Sequence, residues 1–169
     1  MTEAPTLLTK RGFVVLRRVL LSLVLLLMLS LGLWGLNQAL DSIIILGRNF
    51  VDVPGYPVQV SVWTYHDAAF ALLWASYVGF VLWEVVPWRP RELTSGKIII
   101  ALLGFALLTA GLWLSQDLMN AVLVLNRTSV DLPFFIARLD LYQTRDLVIV
   151  LVSLSYITFF TLARVAKSD

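Results

Sequence analysis

Arg48 and Asp52 stand four residues apart, and Arg127 and Asp131 repeat the pair later in the chain. A guanidinium and a carboxylate at that spacing can bind an ionic ligand, clamp a partner at a surface, or tie a loop to itself through a charge-assisted hydrogen bond. Glu84 is the carboxylate nearest the interior of an apolar segment, where an ionisable group is a functional candidate by default. Pro87, Arg89 and Arg91 follow closely and offer it an interfacial ion pair instead. His66, the single histidine, neighbours Asp67 and supplies either a pH-responsive or metal-binding imidazole or a polar interface residue. Ser76-Tyr77 and Ser155-Tyr156 put paired hydroxyls inside apolar segments, for bonds between helices or contact with a buried ligand.

Much chemistry is excluded by what is missing. With no cysteine there is no thiolate nucleophile, zinc-thiolate site, iron-sulfur ligation or c-type haem attachment, and one histidine cannot supply a bis-histidine haem. No phosphate-binding glycine loop, metal-ligand spacing, paired catalytic carboxylates or Ser/His/Asp arrangement is legible. The expectation is a chain without catalytic residues, cofactor or metal, and hence not an enzyme.

The candidate residues recur because the segments that carry them recur. Residues 32–84 lie over 111–163 without a gap: Gly32-Leu33-Trp34 on Gly111-Leu112-Trp113, Arg48 on Arg127, Val51-Asp52 on Val130-Asp131, Pro54 on Pro133, Asp67 on Asp146, Ser76-Tyr77 on Ser155-Tyr156. About a quarter of the aligned positions are identical, which points to an internal tandem duplication. The first repeat is expected at about 11–87, a linker at 88–97, and the second repeat at about 97–166.

Hydrophobic residues make up 59% of the chain and charged residues 14%, against about 25% charged in soluble domains. Mean hydropathy is +0.86. Four stretches, from about Val19 to Leu36, Ala68 to Val86, Ile98 to Leu114 and Leu147 to Val165, are long enough to cross ~30 Å of hydrocarbon. In a four-span arrangement nine of the 13 Lys and Arg residues fall on the side of the termini and the linker. That bias puts both termini in the cytoplasm, with a bacterial inner membrane as the expected setting. The basic residues are scattered over three short segments, as lipid anchors are, and no nucleic-acid partner is expected.

Each repeat reads as helix, extended loop, helix. The first helix of each unit continues past Trp34 or Trp113 with amphipathic spacing, projecting two or three turns beyond the lipid. Gly47 and Asn126, residues suited to the left-handed conformation, are the expected helix stops. Alternation over 58–63 and 137–142 then predicts a short β-hairpin in each outer loop, with Pro54 and Pro133 at a strand start or edge. Asp67 and Asp146 are the expected N-caps of the returning helices. Ala71, Ala75 and Gly79 form a small-residue ladder suited to close helix approach.

The fold class expected is an all-α integral membrane protein of four transmembrane helices, two tandem parallel helical hairpins each with an extracytoplasmic β-hairpin-like loop. The expected function is a non-catalytic membrane subunit or scaffold in contact with lipids, other membrane subunits or further copies of itself. A small oligomeric channel or transporter is the alternative.

Overall fold

A computed structural model describes residues 4–53, 55–85, 95–131 and 138–165. In chain order the elements are α1 (Ala4–Ile44), β1 (Phe50–Asp52), β2 (Gln59–Ser61), α2 (Val62–Val85), α3 (Ser95–Leu123), β3 (Ser129–Asp131), β4 (Arg138–Asp140) and α4 (Leu141–Val165). Two stretches, Val19–Ile44 and Ile98–Leu123, are long and apolar enough to cross a membrane. The segments expected from Ala68 and Leu147 belong to helices that begin earlier, at Val62 and Leu141, so their first two turns hold polar groups such as His66, Asp67, Gln143 and Arg145.

Helix packing is concentrated within each half, and glycine sets its closeness. A Cβ added at Gly32 would stand 2.8 Å from Leu73 Cγ, one at Gly35 3.2 Å from Ala69 Cβ, and one at Gly111 3.0 Å from Val152 Cγ2. Around these contacts Leu36, Leu40 and Leu73 are fully buried in the first half, as are Leu112, Val148 and Val152 in the second. The small-residue ladder is corrected in part: Ala71 and Ala75 are exposed, and Gly79 alone of the three receives a neighbouring side chain, that of Leu25. The helix face that packs is set by where Leu73 and Ala69 meet the glycines of α1, and Ala71 and Ala75 lie off it.

The outer face of every helix stays apolar. Leu20, Leu23 and Leu27 on α1, Val78 and Leu82 on α2, Ile99 and Leu102 on α3, and Val150 and Ile157 on α4 are all exposed. A patch this extensive is unstable against water and suits a lipid surround.

Both long helices end in the same way. Gly47 has φ +58° and Asn126 φ +48°, the left-handed conformation that turns the chain out of the helix. The last turn is widened: Arg48 N–H donates to the Ser42 carbonyl at 2.9 Å and Arg127 N–H to the Ala121 carbonyl at 2.8 Å. The turned chain enters a two-stranded antiparallel sheet, with Phe50 opposite Ser61 and Asp52 opposite Gln59 in one half, Ser129 opposite Asp140 and Asp131 opposite Arg138 in the other. Val51 and Val130 are the buried residues of these strands. Pro54 and Pro133 lie outside the described residues, as does most of the 88–97 linker.

The N-caps require correction. Asp67 and Asp146 lie more than a turn inside α2 and α4. Strands β2 and β4 pass directly into those helices, so the capping position falls on Ser61 and Asp140. Asp140 Oδ1 accepts from Gln143 N–H at 2.7 Å, while Gln143 Oε1 accepts from Asp140 N–H at 3.3 Å. This reciprocal pair satisfies two otherwise free backbone donors. The sequence alternation ran on through Trp63 and Tyr142, which concealed the switch to helix one residue earlier.

Nothing lies within 4 Å of a Cβ built on Gly47, so a side chain there meets backbone strain and no clash. Gly47→Val should therefore lower stability by about 1–2 kcal/mol, the usual cost of left-handed backbone in a residue with Cβ, whereas Gly47→Asn should cost less than half as much. Thermal unfolding in detergent, followed by circular dichroism, measures both.

Candidate functional site

The polar residues gather at the outer ends of the helices and in the two hairpins, in three groups.

The first contains the repeated ion pairs. Arg48 Nη1 lies 3.7 Å from Asp52 Oδ2, and Arg127 Nη1 lies 3.7 Å from Asp131 Oδ2, with every one of these side chains at least half exposed. Each carboxylate also reaches the facing strand, Asp52 accepting from Gln59 Nε2 at 3.1 Å and Asp131 from Arg138 Nε at 2.9 Å. Each carboxylate thus joins the entry to its hairpin to the opposite strand, and each pair closes inside its own loop. Arg48 further stacks on Phe50, its Cζ 5.7 Å from the ring centroid. Exposed pairs of this kind contribute little to stability, because water and salt screen them. The Arg138 hydrogen bond and charge hold the Asp131 carboxyl below the usual carboxylate range.

The second group is Ser115, His66 and Asp67. His66 Nε2 lies 2.8 Å from Ser115 Oγ, and Nδ1 lies 3.4 Å from Asp67 Oδ1. The sequence reading missed this Ser/His/Asp arrangement because Ser115 comes from α3 and the other two from α2, and no local spacing announces a contact between helices. Ser115 Oγ has one proton and two acceptors in reach, the Leu112 carbonyl at 2.6 Å and His66 Nε2, and the imidazole tautomer decides between them. Ser115 is also fully buried, while Asp67 is 77% exposed. The arrangement satisfies a buried imidazole and ties α2 to α3.

The third group occupies the corresponding place on the other side. Arg145 aligns with His66 and joins α4 to α1: its Nη2 donates to Asn37 Oδ1 at 3.1 Å and stands 3.0 Å from Asp41 Oδ1. Asn37 Nδ2 in turn donates to Asp41 Oδ2 at 2.9 Å. Asn37 and Asp41, four apart on one helix face, carried a signal in the sequence; their choice of Arg145 did not.

Deeper in the bundle the two Ser-Tyr pairs separate in role. Tyr156 Oη donates to the Leu73 carbonyl at 2.8 Å and lies 2.7 Å from Ser76 Oγ, while Tyr77 Oη donates to the Ala101 carbonyl at 2.9 Å. The rings meet edge to face at 5.8 Å. Ser155 turns its hydroxyl to Val152 of its own helix.

Of the remaining candidates, Asp146 is exposed on α4. Glu84 lies on the last turn of α2, and its side chain is outside those described. Among the described residues no group of three or more His, Asp or Glu side chains could hold a metal ion. No family model matches the chain, and neither a curated protein nor a solved structure matches it.

Asp131 gives a pH dependence with a defined sign. A carboxyl whose folded pKa is depressed adds stability above its unfolded value, about 3.9, and that contribution is lost as pH falls through the lower folded value. Amide exchange at Ser129–Asp131 should therefore accelerate relative to the α3 interior on acidification below about pH 4. Asp131→Asn should show the faster exchange already at neutral pH.

Proposed function

We propose that this chain is a non-catalytic integral membrane subunit or scaffold with four spans, arisen by tandem duplication, its termini on the cytoplasmic side. It binds partner proteins through its lipid-facing helices and through the two hairpins that project from the opposite surface. Apolar exposure on all four helices supports the four spans. Duplication is supported by corresponding strands, left-handed stops, ion pairs and helix starts, which all fall at aligned positions of the two halves.

The observation that carries the binding role is an exposed apolar pair recurring at the outer end of both halves. Ile45 and Leu46 are 56% and 57% exposed, and Val124 and Leu125 are 66% and 53% exposed. They lie about 15 Å of helix beyond Trp34 and Trp113, the expected interfacial residues, and so stand clear of the hydrocarbon. Tyr56 and Val58 add to the same apolar rim. Apolar side chains held in water at two related places are a surface for another protein. Among the described residues Arg48, Arg127, His66 and Arg145 each meet polar partners within the chain, which leaves little to line a conduit.

Gentle detergent extraction and native mass spectrometry test this reading. The expected result is a stoichiometric complex with other proteins, lost on converting Ile45, Leu46, Val124 and Leu125 to serine while the fold is kept. A homogeneous assembly of this chain alone, with ion or solute flux in liposomes, would replace the reading by that of a channel or transporter. Tag accessibility should place both termini and the 88–97 linker on one face; opposite faces would end the parallel duplication.

A further inference from the structure

Between the two helix pairs the contacts differ with depth. Midway along the bundle they are complete: Tyr156 bonds to Leu73 and Ser76 of α2, and Tyr77 bonds to Ala101 of α3. Gly104 leaves the space that Tyr77 Oη fills, since a Cβ there would collide with it. At the outer end two polar ties close the seams, His66 to Ser115 on one side and Arg145 to Asn37 and Asp41 on the other.

The Arg145 tie is incomplete. Asp41 Oδ1 and Arg145 Nε are both shut off from solvent and have no hydrogen-bond partner, although the two side chains lie 3.0 Å apart at closest approach. The charges attract, but the N–H groups do not point at the carboxylate oxygen they approach. A buried donor or acceptor in that state carries its desolvation cost uncompensated, and water or another polar group would relieve it. Within each half, meanwhile, glycine-mediated contacts at Gly32, Gly35 and Gly111 leave no slack. The chain therefore has two stiff helix pairs, a satisfied junction between them at mid-depth and an unsatisfied one at the outer end.

We propose that the α1–α2 and α3–α4 pairs swing apart at their outer ends about the Tyr77–Tyr156 junction, and that Arg145 is the pin whose release permits it. Opening exposes Asn37, Asp41, His66 and Ser115 to the outer medium, where water satisfies the two stranded atoms. This is a hinge motion between packed bodies that parts both outer ties, Arg145 from Asn37 and Asp41 and His66 from Ser115.

The absence of native cysteine makes the test direct, because introduced thiols are the sole labels. Spin labels at Ile45→Cys and Val124→Cys report the outer ends of the full-length chain in lipid nanodiscs, and labels at Leu16→Cys and Ile99→Cys report the inner ends. Electron–electron double resonance on Arg145→Gln should shift the outer distance to longer values by about one helical turn, ~5 Å, and leave the inner distance unchanged. Exchanging the charges, with Asp41→Arg and Arg145→Asp together, should restore the closed distance. An outer distance unchanged in Arg145→Gln with helicity retained overturns the proposal, and so does an equal shift at both ends. Should Arg145→Gln lose its helicity, Asp41→Asn, which removes the charge that Arg145 faces, is read by the same two distances: an outer shift supports the pin and no shift overturns it.

Discussion

The left-handed turn at Gly47 and Asn126 is the constraint on which the rest of the structure depends. It ends the longest helices, reverses the chain, and sets the register of each small sheet by fixing where β1 and β3 begin. That register places Asp52 opposite Gln59 and Asp131 opposite Arg138, and it delivers the chain to Val62 and Leu141 facing back along the helix it left. With the return path fixed, Gly32 meets Leu73 and Gly111 meets Val152. The unit is a single bend followed by close packing, and its tightest contacts are a consequence of the bend.

The two halves share this plan and differ where they touch each other. Position 66 is a histidine that finds a serine, and its counterpart, position 145, is an arginine that finds an amide and a carboxylate. Leu25 fills the space beside Gly79 within its own half, while Gly104 gives its space to Tyr77 of the other half. Tyr77 and Tyr156 are aligned, yet one bonds to a neighbouring helix at Ala101 and the other at Leu73. The left-handed stops, the strand registers and the Arg–Asp pairs match between the halves, while the contacts made across them differ. A symmetric pair of identical units would have no means to seat a large residue on one side and a small one on the other at the same level.

That division also describes what the sequence could reveal. The helix stops, the strands and the Arg–Asp pairs depend on residues a few positions apart, so their spacing is visible in one dimension. The start of α2 and α4 was misplaced because the polar Asp67 and Asp146 resemble caps, while the strand residues before Val62 and Leu141 change conformation without a break in the alternating pattern. The seams were illegible for a different reason. Ser115 is an ordinary small residue until His66 of another helix is brought to it, and Asn37, Asp41 and Arg145 form a cluster only after two hairpins have been set side by side. The arrangement of helix pairs is a long-range property, and matching spacings in the two halves carry no information about which of their faces meet.

The direct passage from β2 into α2 and from β4 into α4, with no intervening loop residues, has a mechanical consequence. Loops between elements usually absorb small displacements through soft dihedrals, but Ser61 and Val62, like Asp140 and Leu141, belong to adjoining hydrogen-bonded elements. A twist imposed on either sheet is therefore delivered as torque to the helix beneath it. Whatever engages the tip of a hairpin holds a crank on the shaft below.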